Sequence, residues 1–153
     1  MTDPDLRALV PADNLQGEDE EETTLLREML AEAREYLLGQ PWCHSIVADY
    51  FGAGVGGVCA AWLFRIDAEE GVDEWLWVVN GDIPSAYLVC DEVTKPKDAF
   101  VVYADIMQGW VDAVREGKPL GEEFPVPAAA TEEMADMLGE RIELLRTQIV
   151  PAL

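Results

Sequence analysis

A chain of 153 residues, half of them apolar, is sized for one domain that buries its own core without a metal or disulfide. Its 31 acidic residues against 10 Lys and Arg give a net charge of −21. That balance argues against direct binding of nucleic acid or an anionic membrane, since both recruit cations. It favours a basic protein partner by steering, although solubility alone is the simpler explanation.

Cys43, Cys59 and Cys90 form an odd set at irregular spacing, which fits a reducing cytoplasm rather than a disulfide framework. The acidic start Met1-Thr2-Asp3-Pro4-Asp5 has no apolar run behind it, so no signal peptide is expected. The uncharged run from Tyr50 to Phe64 is 15 residues long and rich in glycine. A membrane helix takes about 20 apolar residues, so no span is expected there.

In chain order, residues 1–22 carry eight acidic groups against Arg7 alone, which predicts a mostly flexible acidic arm before a single domain over 23–153. The first helix is expected over 23–38, capped by Thr23 or Thr24, with Leu26, Met29, Leu30, Ala33 and Leu37 on one face. Gly39 and Pro41 end it. In residues 42–51, Ile46, Val47, Tyr50 and Phe51 share a helical face, which favours a short helix over a strand. Val58–Ile66, Glu74–Val79 and Ala86–Cys90 alternate as strands. Asn80-Gly81-Asp82 marks a turn between the last two. Pro96 opens a helix over 96–116, closed by Gly117. Lys118 to Ala130, with three prolines, is an extended connector. Thr131 caps a last helix over 131–149. The expected fold is α+β: a three-stranded antiparallel meander over 57–91, packed by about three to four helices.

Gly52, Gly54 and Gly57 spell G-x-G-x-x-G. A dinucleotide site needs a strand entering that pattern and a helix leaving it, so that helix-terminal N–H groups meet the pyrophosphate. Here the spacing reads as a helix entering and a strand leaving. The glycines are therefore read as a flexible link whose small residues allow close backbone packing and which feeds the first strand. No cofactor is expected.

Cys43, His44, Cys59 and Cys90 lack zinc-ligand spacing, so no metal is expected from them. Nothing marks Cys43 and His44 as a nucleophile pair, and neither Ser45 nor Ser85 sits in a nucleophile elbow. No catalytic residue is assigned. Asp67, Glu69, Glu70, Asp73 and Glu74 crowd one loop, but Gly71 falls one place short of a calcium loop's glycine. A solvated hairpin tip is the simpler reading. Glu69, Glu70, Asp73 and Asp82 are the candidate contacts for a partner or ligand. Trp75 and Trp77 alternate along a strand, a pattern commoner in cores than in exposed binding platforms.

Val55-Gly56-Gly57-Val58, Trp62-Leu63-Phe64-Arg65-Ile66, Asp73-Glu74-Trp75-Leu76-Trp77-Val78 and Gly81-Asp82-Ile83-Pro84-Ser85-Ala86-Tyr87 together resemble a group of small, acidic, uncharacterised bacterial proteins. The connector with Pro125 and Pro127 and the Leu-rich last helix fit as well. The resemblance implies no activity and assigns no residue a role. The expected function is a non-enzymatic cytoplasmic protein-binding module, such as an inhibitor or immunity-type antidote to a basic partner. The alternative is a small-molecule binder or enzyme with a pocket near Gly52–Gly57 and Asn80–Pro84. DNA mimicry is a third, weaker reading, because many of the acids fall in the arm.

Overall fold

The computed structural model describes residues 6–7, 9–90, 93–118 and 131–153. Five strands run β1 (Val10–Pro11), β2 (Cys43–Val55), β3 (Cys59–Ala68), β4 (Trp75–Gly81) and β5 (Ile83–Val89). Each pairs antiparallel with its neighbour in chain order, giving one meander. Among the described residues three α-helices accompany the sheet: α1 (Glu20–Leu38), α2 (Pro96–Glu116) and α3 (Glu132–Leu144). The α+β class and the antiparallel meander agree with expectation; the strand count does not.

The largest departure is β2. The segment 42–51, read as a helix, is strand, and it continues through the glycines to Val55. Its register against β3 slips at three places, between Cys43 and Ser45, Ile46 and Ala48, and Phe51 and Ala53. Each slip lets two residues oppose one and breaks the period of two. Ile46 and Phe51 then fall on one face of the sheet while Tyr50 and Ala53 fall on the other. In sequence that mixture imitates a helical face.

Within β3 and β4 the alternation is regular, and both faces are covered. Trp62, Phe64, Ile66, Leu76 and Val78 pack under α1 with Leu26, Met29, Ala33 and Leu37. Leu63, Trp75, Trp77, Val79 and Ala86 pack under α2 and α3 with Phe100, Tyr103, Met107, Trp110, Leu138 and Ile142. Trp75 and Trp77 are therefore core, not a platform. The Trp77 indole N–H donates to the Val93 carbonyl at 3.0 Å, so its polar edge is satisfied where it is buried.

Helix α1 begins at Glu20, ahead of the expected Thr23. Its cap is Asp19, whose carboxylate accepts the Glu22 N–H at 2.8 Å. The Glu22 carboxylate in turn accepts the Glu18 N–H at 2.9 Å. The Thr23 and Thr24 hydroxyls instead donate back to the Asp19 and Glu20 carbonyls. Asp19→Ala should cost about 1 kcal/mol, read as a lowered urea midpoint, while Thr24→Ala should be near neutral. Upstream, where charge predicts a flexible arm, Val10 and Pro11 pair with Phe51 and Tyr50. Leu9, Ala12 and Leu15 are buried there.

Helix α2 has its expected bounds, with Pro96 in its first turn and Gly117 in the left-handed conformation at its end. Thr131 caps α3 by accepting the Met134 N–H at 3.2 Å. Regular α3 stops at Leu144, and the chain continues as a wider helical turn through Ile149. The Arg115–Asp136 ion pair links α2 to α3, and Arg146–Asp105 links the wider turn after α3 to α2. Most of the connector (119–130) and the end of the β5 loop (91–92) lie outside the described residues.

Candidate functional site

An antiparallel meander places alternate connections at opposite ends of the sheet. The β2–β3 and β4–β5 turns share one end, where Cys59 pairs with Gly81 and the Asp82 N–H donates to the Val58 carbonyl at 2.9 Å. The β3–β4 loop is at the other end, beyond the Arg65–Trp75 pair. The four candidate contacts are split accordingly. Glu69, Glu70 and Asp73 sit on the far loop, while Asp82 sits alone at the two-turn end.

At that end α3 crosses the turns and leaves a groove. One cavity of about 320 Å³ is lined by Asp82, Ile83, Pro84, Trp110, Met134 and Met137, among others. A second, of about 200 Å³, is lined by Gly57, Val58, Cys59, Glu140, Leu144 and Leu145, among others. Asp82, Ile83 and Arg141 line both. The Arg141 guanidinium donates from Nε to Asp82 Oδ2 at 3.0 Å, and its Nη2 lies 3.0 Å from the same oxygen. This ion pair forms a septum between the cavities. It is partly exposed, so its own contribution to stability is small.

The floor of the groove is held rigidly. The Tyr103 hydroxyl donates to the Pro84 carbonyl at 2.6 Å, tying the start of β5 to α2. Burial, foremost, pushes that hydroxyl far above the ordinary tyrosine range. Burial also pushes the Cys59 thiol up to about 11 and the Tyr36 hydroxyl up to about 12. A thiol held protonated in this way is a poor nucleophile.

These shifts carry a sign. The unfolded chain ionises near pH 9 at Cys59 and near pH 10 at Tyr36, before the folded chain does. Stability is therefore full below pH 9 and falls as pH rises through about 11 to 12. The unfolding free energy from urea titration should be flat from pH 7 to about 8.5 and then decline, first through Cys59 and then through Tyr36. Cys59→Ala should flatten the first part of that decline.

Cys43 and His44 are neighbours at a bulge of β2, Cys43 buried and His44 exposed. They form no nucleophile pair. Among the described residues no group of His, Cys, Asp and Glu is placed to hold a metal. No described helix is long and apolar enough to cross a membrane.

The glycine motif does not line the groove as a unit. Gly52 and Gly54 lie inside β2, and the segment leaving Gly57 is strand β3, so the strand–glycine–helix order of a dinucleotide site is not formed. The link is strand rather than a flexible hinge, while the expected close packing of backbone is present. A Cβ on Gly54 would fall 2.6 Å from the Cys59 carbonyl oxygen and 2.8 Å from the Ala60 Cα. Close approach of two backbones is the reason for glycine there.

Asp82 was legible in the sequence as a turn acid. Trp110, Met134 and Arg141 were not, because their helices read only as amphipathic and nothing local says which turn they meet. No family model, curated protein or solved structure matches the chain significantly.

Proposed function

We propose that the protein is a non-enzymatic cytoplasmic binding module that recognises a basic protein partner, as an inhibitor or immunity-type antidote would. The observation that supports this reading is the distribution of its charge. Glu20, Glu21, Glu28, Glu32 and Glu35 are exposed on α1; Glu132, Glu133, Asp136, Glu140 and Glu143 are exposed on α3. The two helices cover opposite faces of the sheet. Rows of carboxylates on rigid elements within a net charge of −21 attract and orient a cationic surface.

Affinity capture from a lysate of the source cells at low and high salt tests the reading. A basic protein retained at low salt and released as salt rises is the expected result. Recovery of no partner at either salt counts heavily against it.

A second reading, a small-molecule binder, is favoured by the 320 Å³ cavity, whose volume is at the low end for ligand pockets. A thermal-shift screen separates the two. A reproducible shift with a metabolite, lost in Asp82→Ala, supports the pocket.

A further inference from the structure

The groove between α3 and the two turns has an apolar lining and an acidic margin. Glu133, Met137, Glu140 and Leu144 recur at i, i+4, i+7 and i+11, so they form one stripe along α3. Met137 is 45% exposed and Leu144 37%, with the two glutamates exposed beside them. The neighbouring line of Leu138, Ile142 and Leu145 is buried. The stripe is thus the outer lip of the groove rather than part of the core. Along the stripe the exposed apolar side chains alternate with exposed carboxylates.

Inside the lip, Trp110, Ile83 and Pro84 supply a firm apolar wall. Met134 and Met137 supply a soft one that can adapt to the shape of an entering group. Among the described residues lining either cavity, Arg141 is the one cation, and it is paired with Asp82. An incoming Lys or Arg meets Glu140 and the Asp82 carboxylate, 65% exposed, with a net charge of −21 behind them. An acidic or neutral segment would gain none of this.

We propose that this groove docks a basic segment of a partner protein, which seats a Leu, Met or Phe side chain between α3 and the β4–β5 turn. Flanking Lys or Arg side chains pair with Glu133, Glu140 and Asp82. The proposal rests on the reading of the protein as a binder of a basic partner, and adds the surface used and the chemistry of the segment.

Selection from a displayed library of random 12-residue peptides, with the full chain as target, tests it. Selected peptides are then synthesised and their affinities measured by fluorescence anisotropy. The expected result is enrichment of an aliphatic or aromatic residue flanked by Lys or Arg. Met137→Gln with Leu144→Gln, a pair that leaves net charge unchanged and alters exposed positions, should weaken those peptides at least tenfold. Glu28→Gln with Glu32→Gln on α1 should weaken them less than threefold. Equal binding to the Met137/Leu144 variant overturns the groove as the site while the basic-partner reading stands. Peptides without Lys or Arg enrichment, or no selected peptide at all, overturn the docking proposal; the salt-dependent capture then decides the partner reading separately. A metabolite that displaces the peptides and loses its thermal shift in Asp82→Ala assigns the groove to a small molecule and overturns it too.

Discussion

Replacing Gly81 by Ala is expected to lower the folding free energy by about 3–5 kcal/mol, combining left-handed strain with overpacking. Gly81 has φ 135°, outside the range an L side chain adopts comfortably. A Cβ there would fall 2.4 Å from the Val58 carbonyl oxygen and 2.7 Å from the Cys59 Cα. Both obstructing atoms are backbone. Neither can retreat, because the Val58 carbonyl accepts the Asp82 N–H and Cys59 is paired in register with Gly81. Against a typical total of about 5–15 kcal/mol, such a loss is a large fraction of stability. The urea midpoint should drop by more than about 1 M. Gly71→Ala is the comparator. It also has positive φ, 88°, but nothing lies within 4 Å of its added Cβ. It should lose only the conformational part, about 1 kcal/mol. Equal losses at the two positions would show that the two turns do not approach as closely as described. The same comparison bears on function, since Gly81 carries Asp82 into the groove.

The elements that the sequence specifies by local chemistry were legible. Helix α2 is bounded by Pro96 and Gly117, and α3 starts on Thr131. Each is a property of a few adjacent residues, so no partner element is needed to read it. Strand β2 was not legible, because its identity depends on pairing with β3 and its bulges erase the alternation. The start of α1 failed for a different reason. A run of acids reads as solvated chain, yet Asp19 and Glu22 use their carboxylates to hold the first free N–H groups. The groove was half legible. Turn chemistry singled out Asp82, but Arg141 lies 59 residues further along and meets it only when α3 crosses the sheet end. Glu69, Glu70 and Asp73 crowd together in sequence with Asp82 only a few residues on, yet the β3–β4 loop holds them at the opposite end of the sheet from it.

The second large effect is expected at Asn80, the one buried polar side chain among the described residues, 1% exposed. Its amide oxygen accepts the Trp62 indole N–H at 3.0 Å, and its amide nitrogen donates to the Met29 carbonyl at 2.8 Å. One side chain thereby fastens β4 to β3 and to the middle of α1. Asn80→Ala strands the Trp62 N–H in a fully buried site and leaves a void beside it. The expected loss is about 2–4 kcal/mol, by chemical denaturation. Trp62→Phe removes the donor and should lose less once made on the Asn80→Ala background than on its own, because the orphaned group is gone. The double-mutant cycle should therefore show coupling of about 1 kcal/mol or more. Asn80→Asp provides the sharper test. At neutral pH it sets a buried carboxylate against the Met29 carbonyl and removes the donor between them, so it should be worse than alanine. The folded-state pKa of that carboxyl would be raised above its unfolded value near 4. Stability should return as pH falls toward the unfolded value, since the protonated acid can donate to Met29 again. Asn80→Ala should show no such recovery. A parallel pH dependence in the two variants would mean that the amide does not bridge the sheet to α1.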